Sequence, residues 1–379
     1  MQENVAQLMR LSHPQGIHHP PLGTQLKLGA LSLALLGLIL VLTGATNLPS
    51  QANSIEIFLS PDGDDTNSGL SRDEPVSTIA AAHEILLRSK PENDVKIWIA
   101  SGTYYNQRVK WTFTMPHNSI TFLPLDEGKP PPIFDGCSKS NVYSVQCDGG
   151  TWFALRESAN APSNIHFYNL VVKHYSTAIS FNGNRDSPSK LAGGNTVSGL
   201  AFIEIGNGYN EALGPSTAAV RLVNSNGTKI INNKFLNIQN VGRGSGLIHA
   251  LYLAHQSDRN AIIGNRFENV SGDAIRLRDV SNNNTIVGNT LIKSGAAGFS
   301  DWYCNKDIRS DCTKQSGECP SFGNVFRDNV LDGTYQCKQM EISKLYQNKV
   351  PQSCKRLSSG TKRVNAENNR RTAKPCSLT

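Results

Sequence analysis

The chain has 379 residues, 38% of them hydrophobic, with 32 glycines, 18 prolines and a formal net charge of +7. That length suits one large domain or two ordinary ones with many turns. The surplus of positive charge lies in the last stretch, where residues 338–379 carry ten Lys or Arg against two Glu. The rest of the chain is close to neutral, so no nucleic acid is expected as a partner.

The first 52 residues read as a leader. Leu28–Ala45 is an uncharged apolar run about one membrane thickness long, preceded by Lys27 and followed by the small-residue pairs Thr43/Ala45 and Ser50/Ala52. We read it as a secretory signal cut near residue 45 or 52, with an uncleaved anchor as the rival. Either reading exports the body, to the medium or to the cell envelope. The eight cysteines all follow residue 136 and are even in number, which fits an oxidising compartment. Cys137 and Cys147 suggest a local loop. Cys304, Cys312, Cys319 and Cys337 cluster, and Cys354 and Cys376 bracket the tail; without a CxxC pair, zinc is the weaker alternative.

Residues 53–136 carry a cap and the first coils. The loop Asp62–Gly63–Asp64–Asp65–Thr66–Asn67 has oxygen ligands that suit calcium, but it lacks EF-hand spacing and is preferred as a metal-free turn. No cofactor is required. Ala80, Ala81, Ala82, Ile85 and Leu86 then form an apolar helical stripe suited to covering the open end of a solenoid.

Over 137–337 a short theme recurs, as in "KIINNKFLN" (229–237), "NAIIGNRFE" (260–268) and "NTIVGNTLI" (284–292). Asn233 and Asn265 are 32 residues apart, and Asn265 and Asn289 are 24 apart. Such a period predicts a coil of three short strands, with these asparagines stacked in a hydrogen-bonded ladder. A second strand follows each theme and aligns as small–apolar–x–apolar. Ile179, Val220, Leu251, Ile275 and Phe299 form one inward column, and Phe181, Leu222, Leu253 and Leu277 another. The outward columns are then Ser180–Arg221–Tyr252–Arg276–Ser300 and Asn182–Val223–Ala254–Arg278–Trp302. Asp301 falls at an inward position, which implies a buried acid or a break in the coil. The prediction is an all-β, right-handed parallel β-helix with an N-terminal capping helix and a Cys-rich loop at 303–321. The basic tail 338–379 reads as a solvated terminus that could touch acidic glycans.

From Ile55 to Gly333 the chain resembles the pectate-lyase-like (pectin lyase fold) superfamily. "IFLSPDGDDTNSGLSRDEPVSTIAAAHEILL" (57–87) followed by "VKIWIASGTYY" (95–105) matches its first strand, polar loop, capping helix and Gly-Thr-Tyr strand end. "AIRLRDVSNNNTIVGNTL" (274–291) is similar to the coil that carries a catalytic arginine in alginate-lyase and chondroitinase-B-type lyases. Arg278 is the matching position, and Ala254–His255 stands where those lyases place a partner lysine.

Chemistry concentrates on two neighbouring coils. Cleaving a uronate glycan by β-elimination needs a cation on the carboxylate, a base for the C5 proton and an acid for the leaving oxygen. Arg221 or Arg276 suits the first role. The base is Arg278 if desolvated, or His255 or His249, and Tyr252 is the acid. Asp273 and Asp279 join the substrate-binding set, with Trp302 and Tyr303 as a sugar platform. A hydrolase needs two carboxylates at a set separation, and Asp273 and Asp279 would be ~20 Å apart along an extended strand. Asp301 or Glu204 would have to supply a partner. The expected function is an exported, monomeric lyase acting on an acidic polysaccharide or envelope glycan. The alternatives are a non-catalytic glycan-binding or structural β-helix, or a glycoside hydrolase or uronate epimerase on the same fold.

Overall fold

The computed structural model describes residues 54–379, apart from 139–146, 148, 157–161, 209–213, 314–315 and 359. The leader and its apolar segment lie outside them. Each turn of the chain lays one strand into each of three sheets in succession, and these contain ten, eight and nine strands. The sheet pairs are parallel, as between Arg266–Val270 and Thr290–Ser294. This is a right-handed parallel β-helix, as predicted.

The core follows from side-chain alternation. Both inward columns of the eight-stranded sheet are fully buried, from Ile179 to Phe299 and from Phe181 to Leu277. In the nine-stranded sheet Phe202, Phe235 and Phe267 occupy one register position, with ring centroids 4.8 and 5.0 Å apart. Stacking like on like lets one side-chain shape repeat down the axis without voids.

The asparagine ladder forms and runs further than the three expected rungs. The Oδ1 of Asn265 accepts from the backbone N–H and Nδ2 of Asn233, both at 2.9 Å; Asn289 serves Asn265, Asn329 serves Asn289 and Asn369 serves Asn329. The residue just before each rung has left-handed backbone: Asn232 at φ 54, Gly264 at 66, Gly288 at 67, Asp328 at 56 and Asn368 at 53. Only Gly, Asn and Asp take that conformation cheaply, which explains the recurring pairs Asn-Asn, Gly-Asn and Asp-Asn.

The helix Ile79–Ser89 closes the N-terminal end. Thr78 caps it by accepting from the Ala81 N–H, and Ile79, Ala82, His83, Ile85 and Leu86 are its buried residues. Ala80, placed in the apolar stripe, is exposed, because the buried face includes Ile79 and His83 instead. The acidic loop serves this cap. Asp65 accepts from the backbone and hydroxyl groups of Ser77 and Thr78 at 2.7–2.9 Å, and Asp64 accepts from Thr66.

The basic tail is not a loose terminus. Glu341–Leu345, Val364–Glu367 and Arg370–Arg371 add a strand to each sheet, so the solenoid continues past Gly333. Four disulfides form: Cys137–Cys147, Cys304–Cys312, Cys319–Cys354 and Cys337–Cys376. The last two tie the final coil to the cysteine cluster. Among the described residues no helix is long and apolar enough to cross a membrane.

Candidate functional site

The outward face of the eight-stranded sheet has the register expected from the aligned strands. Ser180 lies beside Arg221, Arg221 beside Tyr252, Tyr252 beside Arg276 and Arg276 beside Ser300. In the next column Ala254 lies beside Arg278, and Arg278 beside Trp302.

Arg221 is half-buried and bonds only neutral partners: Nε donates to Ser180 Oγ at 3.0 Å and Nη2 reaches Asn182 Oδ1 at 3.5 Å. Among the described residues no carboxylate pairs with it. Burial, and then the positive charge of Arg156, pull its pKa down against the opposing effect of Tyr252.

Arg278 is held quite differently. Its Nε and Nη2 donate to the two oxygens of Glu318 at 2.7 and 2.6 Å, and Nη1 donates to the Tyr252 hydroxyl oxygen at 3.0 Å. Glu318 is 6% exposed and also accepts from the Cys304 N–H and from Arg185. Burial alone would lower the Arg278 pKa, but the Glu318 and Tyr252 interactions outweigh it and the net shift is upward. A guanidinium held charged in this way does not accept a proton, so Arg278 is not a base. Because its hydrogen bond enters the Tyr252 oxygen, the phenol proton of Tyr252 is left to point elsewhere.

His255 and Asp279 close the turn leaving these strands. His255 Nδ1 lies 2.8 Å from Asp279 Oδ2, whose Oδ1 accepts from the Cys319 N–H. The carboxylate keeps the Nδ1 proton in place and leaves Nε2 as the acceptor. Non-glycine residues at φ 51 (His255), 48 (Asp279) and 49 (Val280) show a turn under backbone strain, greatest for the β-branched valine. His255, Asp279 and Glu318 have donor atoms within 4.8 Å of one another and could hold a metal ion only if Glu318 gave up Arg278. Asp135, Cys137 and His174 are similarly close, but Cys137 is in a disulfide and supplies no thiolate.

Other expected site residues are used internally. His249 is buried; its Nδ1 donates to the Asp273 carbonyl at 2.7 Å, and burial followed by the Arg276 charge lowers its pKa to about 3. It stays neutral and stacks on the Tyr252 ring at 5.8 Å. Asp273 is buried and accepts from the Ala296 N–H, Arg276 and the Tyr346 hydroxyl. Burial opposes ionisation there, but the Arg276 charge and the hydrogen bonds from Ala296 and Arg276 bring its pKa to about 2. Arg276 pairs with Asp273, donates to Ser300 and carries the Tyr346 ring 4.5 Å away, so it is not a free carboxylate binder. Tyr303 is fully buried with its hydroxyl on the Lys349 carbonyl, and cannot offer a sugar platform. Trp302 is half-buried with Arg278 and Arg309 over its ring at 4.4 and 5.5 Å. Asp301 is the buried acid the pattern implied, held by Arg363 and Ser321. Glu204 bonds His174 at 2.8 Å. Neither serves as the hydrolytic partner.

Two residues of this cluster escaped the sequence reading, Glu318 and Tyr346. For Glu318 the available signal was its neighbour Cys319, which pins the loop, through Cys354, onto the next coil.

No protein-family model matches the chain, and no curated protein does either. Solved structures do. A rhamnogalacturonan lyase is 15% identical over 73% of this chain and 68% of its own, with a TM-score of 0.49. An alginate lyase from Paenibacillus sp. is 13% identical over 85% and 96%, at 0.48, and a pectate lyase 13% identical over 78% of each chain, at 0.38.

Proposed function

We propose that this chain is an exported enzyme that cleaves an acidic, uronate-containing glycan by β-elimination on the outward face of the eight-stranded sheet. The carrying observation is Arg221, a half-buried guanidinium without a carboxylate partner among the described residues, set beside the Tyr252 phenol. A uronate carboxylate bound there is neutralised, which lowers the cost of negative charge at C5. His255, oriented by Asp279, takes the C5 proton at Nε2. The C5–H electron pair forms the C4=C5 double bond as the C4–O4 bond breaks. Tyr252 gives its proton to the departing O4, and Arg278 stabilises the resulting phenolate. Glu318 and Asp279 are positioning residues. The four disulfides support export, being the pattern an oxidising compartment produces.

The test compares a polyuronate with the same polymer after its carboxylates are reduced to alcohols. Binding and release of unsaturated ends should both collapse on the reduced polymer. Equal behaviour on the two would overturn the role of Arg221. Reducing ends without unsaturation would favour a hydrolase, and binding without any product a non-catalytic glycan-binding protein.

A further inference from the structure

The cations of the groove fall into two classes along its axis. Towards the C-terminal end each has an internal carboxylate: Arg276 has Asp273, Arg278 has Glu318 and Lys344 has Glu341. Towards the N-terminal end Arg221, Lys110 and Arg156 have no carboxylate partner among the described residues. Lys110 lies in the same outward column as Arg221, with Ala154 and Ser180 between them: Lys110 beside Ala154, Ala154 beside Ser180, Ser180 beside Arg221. Arg156 follows Leu155, its N–H bonded to the Trp111 carbonyl, and stands near enough to lower the pKa of Arg221 by its charge. Lys110 and Arg156 are exposed, and no carboxylate pairs with either among the described residues. Both line a cleft of about 530 Å³ with Arg108, Val109, Thr151 and Ala154, and no acid is among its described lining residues.

We infer that this cleft is a second anion subsite, occupied by another acidic group of the same glycan chain that Arg221 holds. The inference rests on the reading of Arg221 as a carboxylate binder. Three rungs separate Lys110 from Arg221, ~14 Å at the spacing of neighbouring strands. The intervening Ala154 and Ser180 are short, so a polymer can lie against the sheet between the two charges. Lys110 and Arg156, which have no carboxylate partner among the described residues, are left to a ligand's charge. The ligand is therefore an oligomer long enough to span both subsites, and a single uronate disaccharide fills only one.

The test measures equilibrium binding of a fluorescent polyuronate and of a uronate disaccharide to the wild-type protein and to the Lys110→Gln/Arg156→Gln double variant, across a salt series. The double variant should bind the polymer about three- to tenfold more weakly, as expected for two exposed charge contacts. Its affinity should also depend less steeply on salt, because fewer ionic contacts remain to be screened. Disaccharide binding and the melting temperature should not change, and Lys110→Arg should restore polymer affinity to the Arg156→Gln level. Unchanged polymer affinity, or an equal loss for polymer and disaccharide, would overturn the subsite. Turnover separates this from the previous reading. Polymer binding lost in the double variant with no product from the wild type removes the elimination chemistry and keeps the subsite; wild-type turnover with an unchanged KM in the variant does the reverse.

Discussion

Arg221 and Arg278 are similar side chains two rungs apart, and their surroundings give them opposite roles. Arg278→Ala would strand Glu318, 6% exposed, with only Arg185 and the Cys304 N–H as partners. Loss of one member of a buried pair costs about 3–5 kcal/mol, so this variant should melt well below the wild type. Arg221→Ala leaves no buried charge behind and should keep the wild-type melting temperature while lowering turnover about 100-fold or more. Thermal melts alongside rates check both; the reverse assignment of effects would contradict the account. The sequence alone showed that both arginines point outward, because strand parity sets that. It did not show which one is paired, since Glu318 arrives from a loop 40 residues downstream. A third residue-scale test concerns His174, clamped between Asp135 at 2.7 Å and Glu204 at 2.8 Å. Burial works to lower its pKa, but the two carboxylates outweigh this and the net shift is upward. A raised folded-state pKa contributes stability that is complete below the unfolded value of about 6.5 and is lost as pH rises through the folded value. Melting temperature should therefore fall as pH rises above about 6.5, and His174→Gln should flatten that slope.

The asparagine ladder is the element-scale feature that the sequence expressed most fully. Its period, its direction and the left-handed residue before each rung can be read from Asn232–Asn233, Gly264–Asn265 and Gly288–Asn289. The inward columns were legible for a related reason: a two-residue alternation repeated over several coils leaves one choice of face. His249 and Asp273 were less so. They stand at the corner where the strand begins, and alternation no longer decides which way a side chain turns. Asn289 lies mid-ladder and fully buried, and its Oδ1 serves two donors of Asn265. Asn289→Ala should cost about 1–3 kcal/mol for each donor left unsatisfied. Asn369→Ala, at the half-exposed last rung, should cost less. Urea titrations of the two variants compare them, and equal losses would mean the ladder is not what holds these turns.

At the scale of the whole molecule, the solenoid is closed by different devices at its two ends. The N-terminal end carries the helix Ile79–Ser89. At the C-terminal end Arg371 stands beside Leu331, so the inward column of the nine-stranded sheet finishes in an exposed charge. A charge at that position discourages another strand from adding to the open edge. The tail's composition suggested a solvated terminus because Val364–Glu367 and Arg370–Arg371 pair with the coil before them through their backbone while their side chains stay largely exposed. Cys337–Cys376 and Cys319–Cys354 hold this coil in place. Such a crosslink contributes about 2–4 kcal/mol. The Cys337→Ser/Cys376→Ser variant should show faster hydrogen exchange at residues 364–371 and unchanged protection at residues 249–254; uniform loosening would contradict this. Elimination on an acidic glycan is tested by offering the wild-type protein polygalacturonate, alginate and chondroitin in turn. Near-ultraviolet absorbance and reducing ends are followed together. Both should rise in step on at least one polymer, and absorbance should be abolished by Tyr252→Phe. Reducing ends that appear on any of them without absorbance, or no product from all three, would contradict elimination.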